Sequence, residues 1–573
     1  MTGETSGQAK KILDLFAVMY GADQADACAK RFDALLQKYS HLRDQTGGRR
    51  WDEGDALLIT YSDMARRDGE APLRTLKRFA DERLQGAIRA IHILPFFPYS
   101  SDDGFSVIDY RQVNPAFGEW SDVEAVNENF DLMFDLVLNH CSAQGEWFQN
   151  YLQGREPGLG FFIEASPDGD WSRVVRPRSL PLFTEAQTSR GPRHVWTTFS
   201  ADQVDLNFAN PDVLFELFDI LLSYLERGAR IIRLDAIAFL WKEAGTSCLH
   251  LPQTHAAVKL MRAAFDAVAP GRLLLTETNV PHRENVSYFG NGDEAHVVYQ
   301  FSLAPLILLA MLKGDATLLT QWARDLEPPR EGCAYLNFTA SHDGVGVRPL
   351  EGIAPREEVD WLVQQIERRD GRINTKRNPD GTDSPYELCC TWFSAVRDPD
   401  APDAVNIERF LTSQAIMLAM QGIPAIYFHS LMGAENDYDG LARTQQNRTL
   451  NRMKWNEPEL LAALDTAGNP RGEIFRRYTE LLRIRAKQPA FHPDARQEIL
   501  ETGPRLFAVL RRPDEQAILA VHNVSAEDQV IELPIGFAGD WTDLFTGESL
   551  ALGAQASIPA HQFQWFAAKT RSS

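Results

Sequence analysis

RIIRLDAIAF, residues 230–239, is a nearly continuous apolar run that carries a carboxylate, Asp235. Seven similar runs are separated by longer segments of helical pattern. They are ALLITYSD (56–63), IHILPFFP (91–98), LMFDLVLNH (132–140), RLLLTETN (272–279), HVVYQFSL (296–303), AYLNFTASHD (334–343) and IPAIYFHS (423–430). Apolar strands that alternate with helices indicate a parallel sheet covered on both faces. Eight of them predict an α/β fold, a (β/α)8 TIM barrel.

Three of these runs end on an acid: Asp235 in RLDA, Glu277 in TETN and Asp343 in SHDG. The C-terminal ends of barrel strands meet at one face, where such barrels place their active sites. Retaining cleavage of a glycosidic bond needs one carboxylate as nucleophile and a second carboxyl, about 5 Å away, as acid and then base. Three acids from three strands therefore predict a site for glycosyl transfer.

The neighbours of two acids suit these roles. Arg233 and Asp235 are two residues apart on one strand, so both project to the same face. A guanidinium favours the ionised carboxylate that a nucleophile requires. Glu277 ends an apolar strand, where burial and a nearby carboxylate would raise its pKa toward that of an acid catalyst. The alternatives are a structural ion pair for Asp235 and a helix cap or surface acid for Glu277.

More polar residues stand at the predicted rim. His342 precedes Asp343, His140 ends the third run, and Asp102 lies in SSDDGF beyond the second. Each of them alone could be a capping residue. Six polar groups on one rim are hard to explain as caps, so the pattern favours a catalytic site.

Charge and composition limit the possible partners. The 573 residues are 44% hydrophobic and 24% charged, with a formal net charge of −21. This charge argues against a nucleic-acid partner and against an anionic membrane surface. No window approaches the roughly 20 apolar residues of a spanning helix, and the N-terminus lacks a signal-peptide pattern. The six cysteines form no CxxC pair, which indicates reduced thiols in a cytoplasmic protein.

The pattern along the chain predicts five units. Two of them are insertions in the barrel, rich in Pro, Gly and Arg or simply too long for one helix, and loops of this length tend to be lids or binding loops. We therefore expect both insertions to lean over the site. The predicted units are an N-terminal helical segment (1–50), the catalytic barrel (51–140, 206–351 and 411–491), an insertion after strand three (141–205), an insertion after strand seven (352–410) and a C-terminal antiparallel β domain (492–573).

The N-terminal segment has one clear helical pattern. Residues 8–45 predict helix, with apolar residues at three- and four-residue spacing that form a stripe for docking on a neighbour. The members of the stripe are Phe32, Leu35, Leu36, Tyr39 and Leu42. A membrane-surface helix is a weak alternative, because acids and bases are mixed here.

Four motifs in order, DLVLNH (135–140), RIIRLDA (230–236), TETN (276–279) and SHD (341–343), resemble the four conserved regions of the α-amylase family of glycoside hydrolases. The resemblance covers nearly the whole chain. It implies that Asp235 is the nucleophile, Glu277 the general acid/base and Asp343 the transition-state stabiliser. It also implies substrate-positioning roles for three further residues, which are Arg233, His140 and His342.

Finer features resemble the sucrose phosphorylase subfamily. They are KEAGTSC (242–248), LPFF (94–97), RPR (176–178), QVDLN (203–207) and QQNRTLNR (445–452). The resemblance implies that Asp102 and Arg448 hold the far hydroxyls of a terminal glucose, with Phe105 and Phe239 as apolar walls. We expect a pocket that admits one glucosyl unit.

Three departures from sucrose phosphorylases are similar to glucosylglycerate phosphorylases of the same subfamily. The N-terminal helical stretch is longer, TETNVPH follows strand five, and SPYE (384–387) carries Glu387 where sucrose enzymes have Gln. SPYE adds Tyr386 and Glu387 to the expected substrate-binding residues. The resemblance implies retaining phosphorolysis of 2-O-α-D-glucosylglycerate, which gives α-D-glucose 1-phosphate and D-glycerate and needs neither metal nor cofactor.

The substrates would be an α-glucoside, inorganic phosphate and glycerate. Because the last two are anions, a shared subsite lined by cations is expected, and the candidates are Arg176, Arg178, Lys376 and Arg377. Loop Arg and Lys residues are more often solvated surface charges. The resemblance is compatible with a monomer or a homodimer.

Other functions stay open at this point. The enzyme could instead be a sucrose, sucrose 6'-phosphate or glucosylglycerol phosphorylase. It could also be a retaining α-glucosidase or transglucosidase, because the first half-reaction is shared. A catalytically inactive barrel that serves as a binding or transporter subunit predicts missing acids and a membrane span. The sequence shows neither sign.

Overall fold

The computed structural model describes residues 2–45, 50–378, 380–512 and 516–569. Eight parallel strands form a closed barrel in chain order, which confirms the predicted TIM barrel. Their side chains are almost all buried, as expected for strands covered on both faces. The strands are β1 (Leu57–Thr60), β2 (Ala90–Ile93), β3 (Asp131–Val137), β4 (Ala229–Asp235), β5 (Leu273–Thr276), β6 (Val297–Tyr299), β7 (Ala334–Phe338) and β8 (Ile423–Tyr427).

Helices follow the strands around the outside of the barrel. Pro starts four of them at the first helical position, where its missing N–H costs nothing. The main ones are Pro72–Arg83, Trp120–Asn127, Pro211–Glu226, Pro252–Val268, Leu303–Lys313, Thr317–Asp325, Asp403–Ala419 and Pro470–Arg485.

The predicted apolar runs extend past the observed strand ends. RIIRLDAIAF leaves the sheet at Ala236, whose φ of 51° is left-handed, and continues as a 3-10 turn over Ile237–Phe239. Glu277 directly follows β5, and Asp343 lies five residues beyond β7. Asp235 is therefore the last residue of its strand, whereas Glu277 and Asp343 lie in the loops that follow theirs.

Two N-terminal helices, α1 (Thr2–Tyr20) and α2 (Ala22–Lys38), pack against the outer helices Pro211–Glu226 and Pro252–Val268. Phe32 meets Phe218 edge to face at 5.6 Å between ring centroids. Of the predicted stripe, Phe32, Tyr39 and Leu42 are buried, and Leu35 and Leu36 are partly buried against the same core. The stripe therefore docks on the barrel.

Both predicted insertions contain a helix and a β-hairpin. The first has the helix Glu146–Gln153 and the strands Phe183–Thr188 and Gly191–Trp196. The second has the helix Arg356–Glu367 and the strands Arg372–Arg377 and Asp383–Cys389. The two insertions touch through a bridge between Arg176 and Arg377. The exact boundaries of the five units stay a prediction.

The C-terminal part is an antiparallel sheet, as predicted. Its core includes the buried side chains of Trp541 and Phe566. The six strands, in sheet order, are Arg496–Leu500, Leu506–Arg512, Gln516–Asn523, Phe563–Lys569, Ala538–Asp543 and Ser549–Leu550. Within the described ranges, no helix combines the length and the apolar character that a membrane crossing requires.

Candidate active site

A cavity lies beyond the C-terminal ends of the barrel strands, and both insertions contribute to its wall. Its lining includes twelve of the sixteen residues that the sequence singled out. They are Asp102, Phe105, His140, Arg178, Asp235, Phe239, Glu277, His342, Asp343, Tyr386, Glu387 and Arg448.

Arg233 lies beneath this cavity and joins the acids from below. Its guanidinium is 3% exposed, donates to Asp135 and Asp235, the latter at 2.7 Å, and stands 3.8 Å from Glu277. Asp135 also contacts His92 at 2.7 Å. Burial alone would raise the pKa of Asp135, but Arg233 and His92 outweigh it and lower the pKa to about 2. Asp135 thus stays ionised and anchors Arg233.

Asp235 and Glu277 form a coupled pair of buried carboxyl groups. Burial raises the pKa of both, and the charge of Glu277 adds to the rise at Asp235. Arg233 opposes the rise at Asp235 with a direct contact, whereas it approaches Glu277 only to 3.8 Å. Glu277 also accepts a hydrogen bond of 3.0 Å from the backbone N–H of Ala236. Both carboxyl groups therefore hold a proton more readily than free acids do, and the contact with Arg233 is the feature that favours the ionised form of Asp235.

Asp343 has the opposite environment. Arg448 approaches its carboxylate to 2.8 Å, His342 to 3.3 Å and Arg452 to 3.6 Å. Burial would raise the pKa of Asp343, but these neighbours hold it well below its usual range. Asp343 is therefore a permanent negative charge beside the coupled pair, which suits stabilisation of a developing cation.

Asp102 completes this end of the cavity. Its carboxylate lies 3.3 Å from Arg452 and 3.8 Å from Arg448. Burial would raise the pKa of Asp102, but Arg452, Arg448 and Arg178 lower it. The sequence reasoning missed Arg452, although it stands four residues after Arg448 in QQNRTLNR, a spacing that could have indicated a second cation on the same face.

Aromatic residues form the apolar walls. Phe105 stacks on His342 with ring centroids 4.6 Å apart and planes 4° apart. Burial lowers the pKa of His342 to about 3, so its ring is neutral at ordinary pH. Phe239 meets Phe199 edge to face at 5.6 Å, and His140 tilts against Phe199 at 5.2 Å. Phe199 comes from the first insertion and was not identified from the sequence.

A buried lysine ties three segments of the wall together. The ammonium of Lys242, 4% exposed, lies 2.6 Å from Asp205 and donates to Asn139 Oδ1 at 2.7 Å and to the carbonyl of Phe239. Asn139 in turn donates to Asp205 at 3.0 Å and approaches His140 Nδ1 at 3.3 Å. Lys242 therefore fixes both His140 and Phe239 relative to the short strand Gln203–Asp205 at the end of the first insertion.

The two insertions contribute Arg178, Tyr386 and Glu387 to the cavity lining. The guanidinium of Arg178 lies 5.6 Å from the ring centre of Tyr386, and one of its terminal nitrogens is buried without a hydrogen-bond partner among the described residues. Glu387 accepts two hydrogen bonds from Arg448, at 3.1 and 2.7 Å, and one from Asn374 at 3.2 Å. Its carboxylate is thus committed to holding Arg448.

Three of the candidate cations lie outside the cavity lining. Arg176 donates to the carbonyl of Leu180, Lys376 pairs with Glu351 at 3.1 Å, and Arg377 pairs with Asp383 at 3.0 Å. Each charge is used within or beside its own insertion. Of the four candidates, only Arg178 lines the cavity.

Metal-ligand clusters are absent from the described residues. Among the residues that the structure describes, no group of three or more His, Cys, Asp or Glu side chains is arranged to hold a metal ion. The carboxylates of the cavity are instead paired with arginines.

Comparison with known proteins agrees with this geometry. The family model "Alpha amylase, catalytic domain" matches residues 85–328. The chain is 47% identical to a glucosylglycerate phosphorylase of Spirochaeta thermophila, with 94% of each protein covered. It is 46% identical to a glucosylglycerate phosphorylase of Allomeiothermus silvanus, with 96% of this chain and 98% of that protein covered.

A solved structure supports the fold. The crystal structure of a sucrose 6F-phosphate phosphorylase from Thermoanaerobacter thermosaccharolyticum superposes with a TM-score of 0.72 at 24% identity. The superposition covers 85% of this chain and 96% of the other. At this identity the likeness shows the shared fold.

Proposed function

The chain belongs to the α-amylase family, in the branch that contains glucosylglycerate phosphorylases, and from this premise we propose that it is a retaining glycoside phosphorylase. Its donor is 2-O-α-D-glucosylglycerate and its products are α-D-glucose 1-phosphate and D-glycerate. One observation carries the proposal. Asp235, Glu277 and Asp343 converge on a single cavity, in a chain that aligns over 94% of its length with a relative of that name.

The first half-reaction uses the coupled pair. Asp235, ionised beside Arg233, attacks the anomeric carbon, and Glu277 gives its proton to the departing glycerate oxygen. The bond between the anomeric carbon and that oxygen breaks, and a β-glucosyl ester on Asp235 forms. Asp343 stabilises the oxocarbenium-like charge between these states. Proton transfer from a carboxyl group of raised pKa is efficient near neutral pH.

The second half-reaction reverses these roles. Phosphate attacks the anomeric carbon of the ester, Glu277 accepts the proton of the attacking oxygen, and Asp235 leaves as a carboxylate. Two inversions give net retention. Water in place of phosphate would give glucose, so the phosphorylase must favour phosphate over water in this cavity.

The glucosyl group and the anion use different side chains of the cavity. We assign Asp102 and Arg448 to the far hydroxyls of the glucosyl unit and Phe105 and Phe239 to its apolar faces. Arg178, a cavity residue of the first insertion with a terminal nitrogen that has no hydrogen-bond partner among the described residues, is assigned to the phosphate or glycerate anion. His140, His342, Arg233, Tyr386 and Glu387 position these groups. Arg176 contributes to the anion site only from a distance, because its guanidinium donates to the carbonyl of Leu180.

A phosphate-dependent assay tests the proposal. The protein is incubated with inorganic phosphate and, separately, glucosylglycerate, sucrose, sucrose 6'-phosphate or glucosylglycerol, and α-glucose 1-phosphate is measured. Release from glucosylglycerate with at least tenfold preference is expected. Release only from another glucoside would replace the acceptor. Free glucose at a rate independent of phosphate would refute the phosphorylase and favour an α-glucosidase or transglucosidase.

The cellular setting follows from the same proposal. We place the enzyme in the cytoplasm, where phosphate and phosphorylated sugars are available, as a monomer or homodimer. Light scattering on the purified full-length protein distinguishes these two states from larger assemblies. Fractionation of the source cells tests the location.

A further inference from the structure

Asn279 is a cavity residue to which the proposed mechanism gives no role. It lies two residues after Glu277, beyond the end of β5, and it lines the cavity together with Val280 and Gly346. In the proposed mechanism Glu277 meets the oxygen that joins the glucosyl unit to the aglycone. Asn279 follows it by two residues and lines the same cavity, so it is a candidate for contact with the aglycone.

The side-chain amide of Asn279 does not hold the loop in place. Its Oδ1 is buried and has no hydrogen-bond partner among the described residues. The neighbouring Thr278 is different, since its hydroxyl donates to Asn285 at 2.6 Å and holds the loop. A buried polar atom without a partner costs about 1–3 kcal/mol, so an amide in this state calls for an explanation.

Gly346 makes the room that the amide occupies. A Cβ added at Gly346 would lie 2.7 Å from Asn279 Oδ1 and 2.8 Å from Nδ2, closer than any normal contact. The backbone there is held by pairing of Gly346 with Glu387 across two strands, and its φ is not in the left-handed region. The amide is therefore the feature that requires glycine at this position.

We propose that Asn279 binds the aglycone through its amide and that Gly346 is glycine to keep the amide in that position. This rests on the proposed function and deepens it: the aglycone is a small hydroxy acid with a free hydroxyl that donates to Oδ1 and a carboxylate that accepts from Nδ2. An amide suits this ligand because it donates without adding a charge that Glu277 would feel. Asn279 and Gly346 together determine acceptor selectivity.

The test uses α-D-glucosyl fluoride as donor for the full-length protein. Fluoride leaves without an aglycone, so the glucosyl-enzyme forms in every variant by the same route and then partitions between water and an added acceptor. The measured quantity is the ratio of transfer to hydrolysis, with D-glycerate and with glycerol as a neutral matched acceptor. A general structural defect lowers both branches and leaves the ratio unchanged.

Asn279→Ala is expected to lower the ratio for glycerate about tenfold, the factor for one lost hydrogen bond to a charged group. Asn279→Asp should lower it further for glycerate than for glycerol, because the new carboxylate repels an anion. Gly346→Ala should lower the glycerate ratio by displacing the amide. In the double variant Asn279→Ala, Gly346→Ala the clash is gone, so its ratio should equal that of Asn279→Ala.

Two results would overturn the inference: an unchanged glycerate ratio in Asn279→Ala, or losses that multiply in the double variant. Failure of the proposed function looks different. In that case the unmodified enzyme transfers glucose to another acceptor but not to glycerate. The four variants are then compared with that acceptor, and the same two results decide the role of Asn279.

Discussion

Replacing Lys242 by Met tests how the glucosyl pocket is held together. The change removes the ammonium and keeps most of the apolar stem. Asp205, which is fully buried, then loses a charged partner at 2.6 Å and keeps three hydrogen bonds, two from Thr198 at 2.8 and 2.6 Å and one from Asn139 at 3.0 Å. Asn139 Oδ1 and the carbonyl of Phe239 each lose a donor.

The size of the effect follows from the burial of the pair. Removing one partner of a buried ion pair costs about 3–5 kcal/mol, and we expect the lower end because three hydrogen bonds still serve Asp205. The expected loss is thus about 3 kcal/mol in the free energy of unfolding. Displacement of Phe239 and His140 by a fraction of an ångström to an ångström should also lower kcat/KM by about 10- to 100-fold.

The assay is chemical denaturation followed by fluorescence, with kcat/KM measured on the same preparations. Lys38→Met is the matched control, because Lys38 pairs with Asp219 at the surface, 57% exposed against 4% for Lys242. This control should lose no more than about 1 kcal/mol. The double variant Lys242→Met, Asp205→Asn removes both charges and should be more stable than Lys242→Met alone. Equal stability of Lys242→Met and the unmodified protein would refute the reasoning.

Four other predictions concern the acids. Asp235→Ala and Glu277→Ala should each lower kcat by several orders of magnitude, and only Glu277→Ala should keep substantial turnover of α-glucosyl fluoride, whose leaving group needs no proton; near-normal phosphorolysis in either variant would remove the assigned roles. Glu387→Gln should raise KM for the glucoside about tenfold, because the two hydrogen bonds that orient Arg448 lose their charge, and an unchanged KM would contradict this. Because burial raises the pKa of Glu277 and its protonated form starts the reaction, kcat/KM should fall as the pH rises through that pKa, whereas a rise with pH would contradict the assignment. The lowered pKa of Asp343 predicts that its ionised side chain stabilises the folded protein above the unfolded-state pKa of this residue. This contribution to stability is lost as the pH falls through the folded-state pKa. Acid unfolding of Asp343→Asn, compared with that of the unmodified protein, measures it.

The barrel was predictable because each strand is a short apolar run, and the strands stay in chain order around the sheet. Strand ends were less predictable. The run 230–239 stays mostly apolar to its end, yet the strand stops at Asp235. The next residue, Ala236, adopts a left-handed backbone conformation and donates its N–H to Glu277. That turn depends on a contact across 41 residues. Local pattern contains no information about it.

The acids of the rim were predicted, but their supports were not. Asp135 lies inside an apolar strand, where a charge is a strong signal, and its partner Arg233 sits opposite it in the strand register. The pairing of β3 with β4 would have predicted this contact. Lys242 and Arg178 differ from the solvated loop cations only in what the folded chain places beside them. Sequence spacing therefore indicated the acids of the cavity better than the residues that hold them in place.

The excess of negative charge at the cavity explains why an anionic acceptor needs a cation beside it. Carboxylates from Asp102, Asp135, Asp235, Asp343 and Glu387 outnumber the buried arginines that pair with them, even when Glu277 keeps its proton. This excess stabilises a glucosyl cation, but together with a net charge of −21 it repels phosphate and glycerate. An anionic acceptor therefore needs a cation beside it to offset the acids. Arg178 lines the cavity and supplies this charge under the proposed function, and the neutral amide of Asn279 lines the same cavity without adding repulsion.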